Sequence, residues 1–144
     1  MVSIDPPAPR SAFKAWRTFA TRWADNDAYS HVNNAIFYQW FDSAVNAWLV
    51  EQDMLDIARG DPIALVVETR CRYFAPLAFP QDVEVGLAVT KLGRSSIRYK
   101  IGVFGSGDER VAAQGEFVHV VVDRLSRRPV EIPNAWRAKL GTIS

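Results

Sequence analysis

The chain has 144 residues and a mass of 16.2 kDa, which suits one domain of ordinary size and excludes a second full domain. Hydrophobic residues make up 49% of the sequence and charged residues 23%, so the composition supports a packed core and excludes a disordered chain. The 17 Lys and Arg residues nearly balance the 16 Asp and Glu residues without forming a dense basic segment, which argues against nucleic acid as a partner.

The first 30 residues predict an arm, a strand and a turn. Residues 1–12 contain three prolines and few large apolar side chains, so we expect an extended N-terminal arm. Aromatic and threonine residues from Phe13 to Trp23 favour a first strand. Residues 24–30 are polar and predict a turn.

A long helix is predicted from Asn34 to about Gln52. Polar side chains recur there at spacings of three and four and define one narrow polar face. Apolar side chains fill the other directions around the helix axis. A helix of this kind must be surrounded by other elements, so we expect it at the centre of the fold.

The rest of the chain predicts strands and one short helix. Apolar and polar residues alternate in four segments, each bounded by Gly or Pro residues: 63–73, 83–89, 97–103 and 111–122. Residues 134–140 favour a terminal helix. Consecutive strands joined by short turns imply an antiparallel sheet. We therefore predict a single α+β domain over residues 1–144, with five antiparallel strands wrapped around one long central helix.

Four absences in the sequence bear on its environment. The single Cys71 excludes an internal disulfide, and no spacing of His and Cys residues suits a zinc site. No apolar run is long enough to span a membrane, and the N-terminus does not resemble a signal peptide. We expect a cytoplasmic protein without a metal or a membrane partner.

The segment before the helix is dense in groups that do chemistry. Asn33 is a good N-cap candidate, and its side chain would accept a hydrogen bond from the N–H of Ala35 or Ile36. The N–H of Asn34 would then lack an intrahelical acceptor and could bind a developing oxyanion. Asp27 could act on an acyl carbon, either as a general base on water or as a nucleophile.

A family resemblance rests on these residues. Asp25 and Asp27, followed by His31-Val32-Asn33-Asn34 and then by Tyr38, Trp40 and Asp42, resemble the acyl-CoA thioesterases of the 4-hydroxybenzoyl-CoA thioesterase type. The similarity extends over roughly residues 16–140. It implies the hotdog fold, in which a five-stranded antiparallel sheet curls around a long helix, and sites that lie between subunits. The family often has Gly where Ser30 stands.

The resemblance implies roles for individual residues. Asp27 becomes the catalytic carboxylate and the backbone N–H of Asn34 the oxyanion donor. His31 is either a base or substrate contact or a structural side chain, and Asp25 is expected to be a hydrogen-bonded turn carboxylate. From their residue types and places in the sequence, and not from the resemblance, the candidates for contacts with the substrate are Tyr29, Asn33, Tyr38, Tyr73 and Arg94. His119 is expected to be a hydrogen-bonded core or interface residue, and Cys71 a buried apolar one.

The sequence therefore predicts an enzyme that hydrolyses an acyl-CoA thioester to a carboxylic acid and coenzyme A. No cofactor is expected, because coenzyme A is part of the substrate. Two alternatives stay open: a hotdog enoyl-CoA hydratase or dehydratase that uses Asp27 and His31, and a non-catalytic module that binds acyl-CoA. An edge strand with unpaired backbone groups favours pairing with a second copy, so we expect a homodimer or a homotetramer.

Overall fold

The structure, a computed structural model, describes residues 5–144. Its strands are β1 (Ala15–Phe19), β2 (Ile63–Tyr73), β3 (Val83–Leu92), β4 (Ser96–Gly105) and β5 (Ala113–Val122), and its helices are α1 (Asn34–Glu51) and α2 (Asn134–Gly141). The strands form one antiparallel sheet in the order β1-β3-β4-β5-β2, with α1 packed against it. The predicted hotdog architecture, five antiparallel strands with one long helix, is confirmed.

Alternation along the strands builds the main core. In β4, Ile97, Tyr99 and Ile101 are fully buried, while the residues between them are only partly buried. Helix α1 approaches the sheet closely at Gly115 of β5. A Cβ atom there would overlap the carbonyl oxygen of Arg70 and lie 2.7 Å from the Phe41 ring. The missing side chain thus lets α1 sit directly on the sheet.

The sheet covers only one face of α1 in the described residues. The buried side chains of the helix recur at spacings of three and four: Phe37, Trp40, Phe41, Ala44, Val45, Trp48 and Leu49. Asp42, Ser43 and Val50 are exposed, and Val50 retains 48% of its accessible surface. The expectation that the helix is surrounded is therefore wrong for a single chain, since nothing in residues 5–144 covers its outer face.

The first strand is shorter than predicted. Residues 10–12, in the expected extended arm, form a 3₁₀ turn, and a second 3₁₀ turn covers Trp23–Asp25. The Phe13 ring packs edge-on against the rings of Trp16 and Phe104 in a second, smaller core on the other side of the sheet. Residues 1–4 of the expected arm lie outside the described residues.

The strand register decides which loops meet. Phe19 pairs with Val83, Val83 with Gly105, and Ala113 with Tyr73. The end of β1, the start of β3 and the end of β2 therefore lie at the same end of the sheet. This brings the polar loop after β1 next to the C-terminal end of β2.

Candidate active site

A cleft of about 530 Å³ opens where the β1–α1 loop, the first turn of α1 and the end of β2 meet. The residues that line it are Asp27, His31, Val32, Asn34, Phe37, Tyr73, Phe74, Ala75, Pro76 and Leu77. Most of the lining residues are apolar, and polar groups from the loop and the helix start share the exposed surface with them. This composition is typical of a small-molecule site.

The loop before α1 is anchored by a buried carboxylate. Asp25 retains only 1% of its accessible surface and accepts hydrogen bonds from the Arg22 backbone N–H at 2.7 Å and from its guanidinium at 2.8 and 3.0 Å. The carbonyl of Asp25 accepts the Asn33 N–H at 2.8 Å. The expectation that Asp25 is a structural turn carboxylate is confirmed, and its role is to fix the loop on which Asp27 lies.

Asp27 is half-buried and holds its own turn. Its Oδ1 atom accepts the N–H of Tyr29 at 2.8 Å, and its backbone N–H donates to the carbonyl of His31 at 2.8 Å. Its second carboxylate oxygen, Oδ2, accepts no hydrogen bond from residues 5–144. One oxygen thus orients the carboxylate, while the other is available to a molecule in the cleft.

Ser30 closes this turn in the left-handed region, with φ at 67°. Its N–H donates to the carbonyl of Asp27 at 3.1 Å. Non-glycine residues disfavour this conformation because their Cβ atom crowds the backbone. The preference of the resembled family for Gly at this position has the same physical cause.

The start of α1 follows the predicted capping geometry. The Oδ1 atom of Asn33 accepts the Ala35 N–H at 2.9 Å, and the Asn33 carbonyl accepts the Ile36 N–H at 2.9 Å. The Asn34 N–H finds no acceptor in residues 5–144, and Asn34 lines the cleft. A free N–H donor and the positive end of the helix dipole therefore lie in the same cleft as Asp27.

Tyr73 joins the end of β2 to this helix start. Its hydroxyl donates to the carbonyl oxygen of Asn34 at 2.8 Å, and its ring meets the Phe37 ring edge-on, with centroids 5.1 Å apart. Burial, together with the neighbouring Cys71 and Tyr38, raises the pKa of the Tyr73 hydroxyl above its ordinary value. The hydroxyl therefore stays protonated and remains a donor throughout the physiological pH range.

The structure places some of the residues that the sequence predicted for the site in the cleft and others outside it. His31, Asn34 and Tyr73 line the cleft with Asp27. The Asn33 side chain is occupied by the cap bond to Ala35. The cleft is also lined by residues 74–77, which follow β2 and which the sequence did not single out as lining. The carbonyl of Leu77 in this segment accepts the Val32 N–H at 2.7 Å.

Three other predicted contacts lie outside the cleft of this chain. Tyr29 is 83% exposed and Tyr38 is half-buried against Phe41. Arg94 lies in the turn between β3 and β4, at the opposite end of the sheet from Asp27. The antiparallel register causes this separation, because β3 carries the chain along the length of the sheet between the cleft and that turn.

Cys71 and His119 lie outside the cleft; Cys71 is half-buried rather than buried as expected, and His119 lies in the core. Burial raises the pKa of the Cys71 thiol to about 11, so it is protonated at neutral pH and is a poor nucleophile. His119 is 1% exposed, and burial lowers its pKa to about 4. The expectation that His119 is fully hydrogen-bonded is wrong, because its Nδ1 atom has no partner within residues 5–144.

A second cavity, of about 360 Å³, lies on the outer face of the sheet. Arg70, Lys100 and Glu116 are among its lining residues. Glu116 accepts hydrogen bonds from Arg70 at 3.1 Å and from Arg98 at 2.7 Å. The Glu116 carboxylate thus pairs with two arginines of the sheet.

Within the described part of the chain, no group of three or more His, Cys, Asp or Glu side chains could hold a metal ion. No helix of residues 5–144 is long and apolar enough to cross a membrane. The cytoplasmic location stays a prediction.

A sequence profile of the thioesterase-like superfamily matches residues 21–140. The chain belongs to the thioesterase-like superfamily. The match includes the whole candidate site and most of the fold. Membership of the narrower 4-hydroxybenzoyl-CoA type stays a prediction. No curated protein matches the sequence of this thioesterase-like chain.

Solved structures resemble the thioesterase-like chain along nearly its whole length. The PA5185 protein from Pseudomonas aeruginosa strain PAO1 is 47% identical, with 96% of this chain and 97% of that chain covered and a TM-score of 0.92. A thioesterase from Thermus thermophilus, complexed with coenzyme A and Zn, is 26% identical over 92% of this chain and 95% of that chain, with a TM-score of 0.74.

Slr0204, a 1,4-dihydroxy-2-naphthoyl-CoA thioesterase from Synechocystis, is 20% identical over 88% of this chain and 94% of that chain, with a TM-score of 0.78. At this level of identity the likeness supports the fold alone.

Proposed function

We propose that the protein is an acyl-CoA thioesterase, which hydrolyses an acyl-CoA thioester to a free carboxylic acid and coenzyme A. One observation supports this proposal most strongly: the Asp27 carboxylate and the Asn34 N–H, which has no acceptor within residues 5–144, belong to the same cleft. The Thermus thermophilus thioesterase that is similar to this chain is complexed with coenzyme A, which supports coenzyme A as the leaving group.

The Asn34 N–H supplies the electrophilic half of the reaction. A thioester carbonyl in the cleft would accept this N–H, and its oxygen would gain negative charge as the acyl carbon becomes tetrahedral. The donor and the helix dipole stabilise that charge. Losing one such donor costs about 2.7–4 kcal/mol of transition-state stabilisation in well-studied hydrolases.

The Asp27 carboxylate supplies the nucleophilic half. As a general base, its Oδ2 atom accepts a proton from water while the water oxygen bonds to the acyl carbon. As a nucleophile, Oδ2 bonds to the acyl carbon itself, and water then cleaves the resulting anhydride. Both routes break the C–S bond, consume one water and release coenzyme A, whose thiolate takes up a proton.

The remaining walls of the cleft suit the acyl group. Phe37, Phe74 and Leu77 offer apolar surface, and Tyr73 offers an aromatic ring beside them. His31 contributes an imidazole at the same cleft and is proposed as a substrate contact. An aryl or a medium-length aliphatic acyl group would bury apolar surface against these side chains.

A second copy of the chain is proposed to pair with β2. This strand is 11 residues long, it is an edge of the sheet, and Leu65, Val66 and Val67 on it retain 37%, 45% and 58% of their accessible surface. Unpaired backbone groups with exposed apolar side chains favour pairing with another strand. Because Tyr73 ends the same strand, the partner would border the cleft and help to close it.

The proposed activity is tested by a thiol-release screen. Purified protein is incubated with acyl-CoAs of different length and aromaticity, and free thiol, alkene formation and acyl-CoA binding are measured in parallel. Release of one thiol per carboxylic acid supports a thioesterase. Alkene interconversion without thiol release would instead indicate a hydratase or dehydratase, and tight binding without turnover would indicate a non-catalytic module.

The reaction as written requires only water as a co-reactant. Dialysis against EDTA before the assay should therefore leave the rate of thiol release unchanged. A loss of activity that Zn²⁺ or another divalent cation restores would contradict this part of the proposal.

A further inference from the structure

We propose that Tyr73 is a positioning residue, which aims the Asn34 N–H at the thioester by holding the first peptide group of α1. This inference rests on the proposed function and adds a residue to it. The hydroxyl of Tyr73 need not touch the substrate to act in this way.

Two side chains hold the peptide group between Asn34 and Ala35 from its opposite edges. The Tyr73 hydroxyl donates to its carbonyl oxygen at 2.8 Å, and the Oδ1 atom of Asn33 accepts its N–H at 2.9 Å. A peptide group is planar, so two bonds at opposite edges fix its rotation about the chain axis. The backbone dihedral angles on either side of Asn34 are thereby restricted.

The neighbouring peptide group carries the proposed oxyanion donor. It is fixed upstream, since the Asn33 N–H donates to the carbonyl of Asp25 at 2.8 Å. Its own carbonyl, that of Asn33, accepts the Ile36 N–H at 2.9 Å, and downstream it is joined to Asn34, whose carbonyl Tyr73 holds. The Tyr73 hydroxyl therefore adds a restraint, beside the bonds of the helix, on the backbone angles of Asn34 and so on the direction of the Asn34 N–H.

The bond from Tyr73 is additional to what the helix needs. A carbonyl in the first turn of an α-helix already accepts the N–H four residues further along, so Asn34 requires no side-chain donor there. The carbonyl groups that need such donors lie at the other end of the helix. Capping therefore does not explain the contact, whereas orientation of the first turn does.

Tyr73 is itself held firmly enough for this role. It pairs with Ala113 in the sheet, and its ring rests edge-on against Phe37 at an interplanar angle of 89°. The raised pKa of its hydroxyl keeps the proton in place at working pH. The first turn of α1 is thus connected to the sheet through the Tyr73 side chain.

The test compares Tyr73→Phe with the wild type in steady-state thiol release. We expect kcat to fall by about 10- to 100-fold, the scale on which a misplaced donor reduces catalysis, with KM changed by less than about twofold. Tyr99→Phe is the matched control. It removes a buried hydroxyl of the same sheet that has no partner within residues 5–144, so kcat should stay at the wild-type value.

Each outcome decides between the possible roles. A raised KM with unchanged kcat would show that Tyr73 binds the substrate directly, and unchanged constants would show that its hydroxyl does not matter. Either result overturns the proposal. Replacing Tyr73 with 3-fluorotyrosine, which keeps the ring and the hydroxyl, should preserve kcat. A lower kcat in the fluorotyrosine protein would contradict the proposal, and this test can be made even if Tyr73→Phe folds poorly.

Failure of the proposed function would look different. If Asp27→Asn retains full activity, the catalytic assignment itself is wrong, whatever Tyr73→Phe does. If Asp27→Asn loses activity while Tyr73→Phe does not, only the positioning role fails.

Discussion

Replacing Ser30 with Gly should stabilise the protein. Ser30 has φ at 67°, and this conformation costs a non-glycine residue about 1–2 kcal/mol. Its side chain donates and accepts no hydrogen bond within residues 5–144, so the substitution removes no such contact. Glycine makes the unfolded chain more flexible, which costs about 0.4–1 kcal/mol. The difference predicts a gain of about 0.5–1 kcal/mol in the free energy of unfolding.

Urea denaturation measures this gain, and a thermal melt should show Tm raised by roughly 1–4 °C. Ser106→Gly is the matched control, since Ser106 is an exposed turn residue outside the left-handed region. That variant should lose about 0.5–1 kcal/mol through the same flexibility of the unfolded chain. A loss of similar size in Ser30→Gly would refute the argument that the turn before α1 is strained.

Three further predictions concern stability and assembly. Tyr99→Phe should raise the free energy of unfolding, measured by urea denaturation, by about 1 kcal/mol, because it removes a buried hydroxyl without a partner in residues 5–144. A decrease of that size would show that the hydroxyl has a hydrogen-bond partner after all. Burial lowers the pKa of His119 to about 4, so the free energy of unfolding should decline as pH falls from about 6.5 to 4. The decline should be up to about 3 kcal/mol larger in the wild type than in His119→Gln. Equal pH profiles of the two proteins would contradict this prediction. Val67→Lys places a charge on the exposed β2 edge and should shift a homodimer or homotetramer toward monomer in light scattering; an unchanged mass would exclude this edge as the interface.

Local rules predicted the parts of the site that neighbouring residues determine. The cap at Asn33 depends on the chemistry of one side chain and on two following N–H groups, and the structure has the predicted bond to Ala35. Alternation of apolar residues placed β2 to β5, because one buried face fixes the periodicity of a strand.

The remaining features depend on packing between segments that are distant in the sequence, so the sequence alone could not predict them. The start of β1 could not be read from the sequence because Phe13, just before the strand, packs on the far side of the sheet, above Gly86 and Gly102. Tyr29 and Arg94 were predicted at the site by residue type and by place in the sequence, but strand register and exposure place them outside the cleft of one chain.

The measurement that tests the central claim most directly is the kcat of Asp27→Asn in thiol release. Asn keeps the oxygen that accepts the Tyr29 N–H, so the turn and the fold should survive, while the negative charge is lost. Asp56→Asn is the matched control, because Asp56 also accepts backbone N–H groups through its Oδ1 atom, at 3.1 and 3.2 Å, away from the cleft. We predict that kcat falls by about 100-fold or more in Asp27→Asn and stays unchanged in Asp56→Asn. A folded Asp27→Asn protein with wild-type kcat would contradict the account.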